Sequence, residues 1–308
     1  MAKNQSRLPD RSEFYYSLGI AYAASGKSEN AIECYDEAVR NKPRYSEAYH
    51  NRGKVYHDIG QNRRAIEDYG LAIEHNPEYY SAYNNRGIVY YDSGEHQQAI
   101  NDYNEAIRIN PKYVVAYNNR GNAYLAVGEY GLAIEDYDEA VTLDPENVAA
   151  FSNRGSAYRA LGENERAIKD YNEVVRINPH YATVYNNRAN AYYDLGQREK
   201  ALEDYNEAIR LDPGDADVYI NRGNVLFEGS RFELAIMDYS EAIRVSPNCV
   251  EAYHNRGLVY RRIGQYDESD QDFSKVAELK GTTNTDEGAA AMSPQLWESG
   301  EHRTISIR

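Results

Sequence analysis

Seven asparagines, Asn51, Asn85, Asn119, Asn153, Asn187, Asn221 and Asn255, stand at intervals of 34 residues in a chain of 308. Each carboxamide carries a donor and an acceptor, so such a ladder suits the main-chain amides of an extended peptide whatever its sequence. The competing reading is a hydrogen bond between neighbouring helices, and from sequence both stay open. Directly after each asparagine comes an arginine, Arg52, Arg86, Arg120, Arg154, Arg188, Arg222 or Arg256, and 16 residues beyond each arginine an aspartate. The one equivalent site without the arginine, Leu18, also lacks the aspartate and has Cys34. This joint change predicts ion pairs, Arg86 with Asp102, Arg120 with Asp136 and Arg154 with Asp170, because a partly buried charge needs a partner.

Other chemistry is weakly represented. The seven histidines are dispersed, with no HExxH or CxxC spacing, and no glycine loop of the phosphate-binding kind occurs. The glutamates with arginines three or four places on, such as Glu207 and Arg210, read as a solvated helix face. No catalytic residue, metal site or cofactor is expected, and the chain is read as no enzyme.

The elements that position these rows follow from the same period. Eight prolines, Pro9, Pro43, Pro77, Pro111, Pro145, Pro179, Pro213 and Pro247, fall 34 residues apart, which marks a stacked array of one supersecondary unit. With the proline as position 32, repeats begin at Ser12, Ser46, Tyr80, Val114, Val148, Ala182, Ala216 and Val250. Tyr83, Gly87 and Tyr90 at positions 4, 8 and 11 give one helical stripe, and Ala99, Ile100, Tyr103, Ala106 and Ile107 give a second. Glycine at position 15, for example Gly94, ends the first helix in seven repeats; the seventh repeat has Gly229 one place early. The residue before each proline disfavours continuing the second helix.

The period, the aromatic residues at 4, 11 and 24, the small residue at 8, the alanines at 20 and 27 and the proline at 32 resemble the tetratricopeptide repeat family. The resemblance implies an all-α fold: a right-handed superhelical solenoid of antiparallel helix pairs, here eight repeats over residues 12–282, with 1–11 as an N-terminal end and 283–308 as a flexible tail. The family implies a groove lined by the first helices. Besides the seven asparagines, its candidates are Asn84, Asn118, Asn122, Asn186, Asn190 and Asn224, with Tyr91, Tyr193 and Phe227 as platforms. The basic residues of a carboxylate clamp are missing, since groove positions hold Ser81, Val115 and Ala149. Protein O-linked N-acetylglucosamine transferases are similar in their asparagine ladder, which supports the groove and not the reaction.

The net charge of −15 speaks against nucleic acid, and no apolar run reaches the length of a signal peptide or membrane helix. A cytoplasmic protein is the expectation, acting as a scaffold for a protein or peptide ligand. The alternatives are a homo-oligomer formed through the array or through the tail containing Trp297, and a regulatory module of a larger enzyme complex.

Overall fold

In the computed structural model residues 11–281 are described; Trp297, the tail and residues 1–10 lie outside them. The chain divides into two compact units at Ile177/Asn178. The first holds α1 (Arg11–Ala24), α2 (Ser28–Asn41), α3 (Ser46–Asp58), α4 (Asn62–His75) and α5 (Tyr80–Asp92). It continues with α6 (His96–Ile109), α7 (Val114–Ala126), α8 (Tyr130–Leu143), α9 (Val148–Ala160) and α10 (Asn164–Ile177). The second holds α11 (Ala182–Asp194), α12 (Arg198–Leu211), α13 (Ala216–Glu228), α14 (Phe232–Val245), α15 (Val250–Arg262) and α16 (Tyr266–Leu279). Each odd helix packs on the even helix that follows it, and within each unit successive hairpins stack, even helix on next odd helix and odd on odd.

Close approach within a hairpin rests on the small residue at position 8. A Cβ on Gly87 would fall 2.6 Å from Cε1 of Tyr103, so the buried tyrosine ring of the even helix lies directly against the odd backbone. The tyrosines at position 24, Tyr35 to Tyr239, are at most 1% exposed, and the residues at positions 20 and 27 beside them, alanine except for Val174, Ser269 and Val276, are buried as well. The core is thus repeated hairpin by hairpin.

Both helix ends follow from local chemistry. The odd helices close in a Schellman turn: in α5 the N–H of Gly94 donates to the Tyr91 carbonyl at 2.9 Å and that of Glu95 to the Tyr90 carbonyl at 2.8 Å, with Gly94 at φ +79°. The even helices α4, α6, α8, α10 and α12 end at an Asn or Asp before proline, whose side chain accepts the N–H two residues on, as Asn76 does from Glu78 at 3.2 Å.

In the seventh repeat the turn does not move with the glycine. Gly229 keeps a negative φ, and Ser230 occupies the left-handed site at φ 58°. Ser230→Gly is therefore expected to stabilise the protein by about 1 kcal/mol, the left-handed penalty of an ordinary residue less the extra freedom glycine gives the unfolded chain. Urea denaturation of the two proteins measures it.

Candidate functional site

The asparagine row lies on the odd helices, and all seven side chains are half-buried. Six of its seven amino groups, all but that of Asn187, are held by a neighbouring helix. Asn51 Nδ2 donates to Tyr16 Oη at 3.0 Å, and Asn119 Nδ2 to Asn84 Oδ1 at 3.0 Å. Asn153 Nδ2 donates to Asn122 Oδ1 at 2.9 Å, Asn221 Nδ2 to Asn186 Oδ1 at 3.1 Å, and Asn255 Nδ2 to Asn224 Oδ1 at 3.1 Å. Asn85 Nδ2 donates to His50 Nε2 at 2.9 Å. Every one of these bonds joins an odd helix to the odd helix before it, so the row is a series of rungs between stacked hairpins. The partner is at position 5 or position 9 of the preceding repeat: Asn255 reaches Asn224 where position 5 is Ile220, which cannot accept, and Asn153 reaches Asn122 although position 5 there is Asn118.

This corrects part of the predicted groove set. Asn84 is 1% exposed and donates to Asn85 Oδ1 at 3.2 Å while accepting from Asn119, so it offers nothing to a ligand. Asn190 is buried and accepts from Tyr205 Oη at 2.6 Å. Asn122 and Asn224 each accept twice, from Tyr137 Oη at 2.6 Å and Tyr239 Oη at 2.8 Å as well as from the rungs. Position 9 therefore serves the buried tyrosine hydroxyls, which need partners in an apolar core. Asn118 donates to the Val114 carbonyl at 3.4 Å, and its enclosed Oδ1 has no partner among the described residues. Asn186 is half-buried under its rung, and Asn187 is half-buried on α11.

What faces outward is mainly acceptor and ring. The side-chain oxygens of Asn119, Asn153, Asn221 and Asn255 are the atoms the rungs leave over, whereas those of Asn51 and Asn85 meet His50 and Asn84. Tyr91 packs on His96 with centroids 5.2 Å apart, and Phe227 on Phe232 at 5.8 Å. Tyr193 Oη donates to Glu228, which also pairs with Arg198 at 3.0 Å. All three aromatic residues are half-buried.

The arginine row forms the predicted pairs within each hairpin. Arg86 Nε and Nη2 reach Asp102 at 2.8 and 2.7 Å, Arg120 reaches Asp136 at 2.9 and 2.5 Å, and Arg154 reaches Asp170 at 2.8 and 2.6 Å. The same fork geometry recurs at Arg52, Arg188, Arg222 and Arg256. The Asp102 hydrogen bond, outweighing burial, raises the affinity of the Arg86 guanidinium for its proton. Sequence reasoning missed the third partner, at position 25 of the preceding even helix. Arg120 Nη1 donates to Asn104 at 2.6 Å, Arg154 Nη1 to Asp138 at 2.6 Å, Arg222 Nη1 to Asn206 at 2.6 Å and Arg256 Nη1 to Ser240 Oγ at 2.9 Å, while Arg52 Nη1 reaches Asp36. The signal was the run of short acceptors at that position.

A chain of stacked helical hairpins with this period and these internal pairs is a helical repeat protein. The sequence profile described as TPR repeat matches residues 19–60, 53–94, 87–128, 155–196, 189–229 and 223–264. Two profiles described as tetratricopeptide repeat match 114–147 and 250–283. The chain belongs to the tetratricopeptide repeat family. Among solved structures it is similar to a tetratricopeptide repeat protein from Parabacteroides merdae ATCC 43184, with 22% identity over 81% of this chain and 98% of that one and a TM-score of 0.63. It is also similar to MamA, with 27% identity over 57% and 96% and a TM-score of 0.51. YrrB, described as a TPR protein with an unusual peptide-binding site, is 24% identical over 61% and 97%, with a TM-score of 0.51. A comparison with curated protein sequences finds no match. No helix among the described residues is long and apolar enough to cross a membrane.

Two outcomes test the internal bonds. Asp102→Ala leaves Arg86 partly buried without its counter-charge and is expected to cost about 3 kcal/mol, the low end for a broken buried pair because Arg86 keeps some solvent contact. The double variant Arg86→Leu/Asp102→Cys, copying Leu18 and Cys34 of the first repeat, is expected to recover most of that loss in urea titrations. The rung at His50 gives a pH dependence. Burial lowers the His50 pKa from 6.5, and the neutral ring with its proton on Nδ1 accepts Asn85 at Nε2 while facing Asn51 Oδ1 at 3.3 Å. Above the unfolded value both states are neutral; as pH falls below it the unfolded chain takes the proton first, so stability drops until the folded value is reached. Burial lowers His254 too, which adds in the same direction. His50→Gln is expected to flatten the fall in urea midpoint between about pH 7.5 and pH 5.5.

Proposed function

We propose that this protein is a non-catalytic scaffold that holds an extended segment of another protein along the odd-helix face of its repeats. The observation that carries this reading is the half-buried carboxamide row, whose amino groups are fixed by the rungs so that Asn119 and Asn153 in the first unit, and Asn221 and Asn255 in the second, keep their side-chain oxygens in place without a ligand. Preorganised acceptors reduce the ordering cost of binding and can take main-chain N–H groups irrespective of side chain. Tyr91 in one unit, and Tyr193 and Phe227 in the other, supply the apolar platforms from which preference for particular residues would come. Each unit is a binding surface by itself in this reading. The arginines and aspartates take no part in it, being held in the hairpins.

The test is selection of binders from a displayed library of unstructured peptides on the full chain, followed by fluorescence anisotropy. Asn119→Ala/Asn153→Ala, checked by circular dichroism to be folded, is expected to weaken a peptide seated on the first unit about tenfold, a loss of about 1.4 kcal/mol. Glu105→Ala/Glu139→Ala on the even helices is expected to leave that affinity unchanged. Equal affinity of wild type and the asparagine double variant, or no binder at all, overturns the reading.

A further inference from the structure

The arginine row has one gap. In the first unit Arg52, Arg120 and Arg154 each direct Nη1 at an acceptor on the even helix before them, respectively Asp36, Asn104 and Asp138. For Arg86 the residue at that place is Gly70. A Cβ built on Gly70 would lie 3.8 Å from Arg86 Nη1 and meet nothing else within 4 Å, so the volume an acceptor side chain fills in the other hairpins is open space beside the guanidinium. Arg86 keeps its fork on Asp102, and its side chain is 22% exposed, against 14% for Arg52 and 15% for Arg154 beside a carboxylate, and 19% for Arg120 and 21% for Arg222 beside an asparagine, so the open space at Gly70 and not the exposure distinguishes it.

The surroundings differ in charge as well. The crevice at Arg52 is lined by Asp36, Arg64, Glu67 and Asp68, three carboxylates against two guanidiniums. One repeat on, Gly70, Gln98 and Asn101 stand where Asp36, Arg64 and Glu67 stood, leaving one guanidinium against one carboxylate. A single incoming carboxylate would restore the charge that the Arg52 crevice carries with its own residues. Arg is suited to this because its planar fork presents separate N–H edges to separate acceptors.

We propose that the notch between Gly70 on α4 and Arg86 on α5 is a docking site for the carboxylate of an aspartate or glutamate side chain of a partner protein, which takes on Arg86 Nη1 the place held by Asp36 and Asp138 on their arginines. The site is distinct from the asparagine row and needs none of its residues. It gives the first unit a second contact, selective for an acidic side chain, in a chain whose net charge otherwise repels acidic partners.

Acetate is the probe, and the readout is the guanidinium resonances of Arg86 and Arg120 in nitrogen-edited NMR of the full chain, with ionic strength held constant. Arg120, whose Nη1 is occupied by Asn104, is the internal control. Saturable shifts at Arg86, absent at Arg120, are expected in the wild type and in Gly70→Ala, which adds only a Cβ at ordinary contact distance. Gly70→Asp, which supplies the carboxylate from within, is expected to weaken acetate binding at Arg86 at least about tenfold; Gly70→Asn, copying Asn104, does the same should the aspartate variant fold poorly. No saturable shift at Arg86, equal shifts at Arg86 and Arg120, or a wild-type response in both filled variants overturns the proposal.

Discussion

The structure depends on how a guanidinium is kept charged in the seam between helices. Removing an arginine from water costs several kcal/mol unless its donors are matched, and here a single side chain is matched from different directions. Its own hairpin supplies a bidentate aspartate, and in most hairpins the preceding even helix supplies an oxygen. Arg120 also stands over the rings of Tyr117 and Tyr124, with centroids 5.7 and 5.9 Å away, and Arg256 over Tyr253 and Tyr260 at 5.7 and 5.8 Å. One charge thus ties two helices of a hairpin to each other and to the hairpin before, which neither the glycine contact nor the tyrosine core does alone.

The rungs of the asparagine row perform the matching task on the odd helices. Together the two rows hold successive hairpins of a unit at two levels, one bond set between odd helices and one reaching from odd to even. A consequence for binding is that the surface comes ready-made. A carboxamide whose amino group is held cannot rotate to suit a ligand, so its oxygen selects for donors, and an extended segment with its regular N–H groups is what such a row can hold.

Departures from the repeat act as substitutions already made in the chain. Leu18 and Cys34 replace an ion pair with an apolar pair, with Cys34 buried and both cysteines of the described residues free. Ile220 offers no acceptor, and the rung of Asn255 is made to Asn224, as that of Asn153 is made to Asn122. Ser230 takes a backbone conformation that glycine takes elsewhere. In each case the hairpin keeps its form because a neighbouring group has the same hydrogen-bonding capacity or because stacking outweighs a local penalty of about 1 kcal/mol.

The sequence alone determined the hairpins. A fixed period with small, aromatic and alanine positions can bury its stripes in one way, and helices begin at Ser46, Tyr80, Val114 and the later repeat starts as that period requires. The pairing of Arg86 with Asp102 was also legible, because two charges lost together at Leu18 and Cys34 must compensate each other. Only the tertiary structure decided which side of the asparagine row was free. Helical spacing places Asn84 and Asn85 on one face, but whether a side chain there meets solvent or the next hairpin depends on how closely that hairpin stacks, a distance no single repeat encodes. The same holds for position 25: its residues are unremarkable in one hairpin, and become partners of the arginine only when another hairpin brings its Nη1 to them.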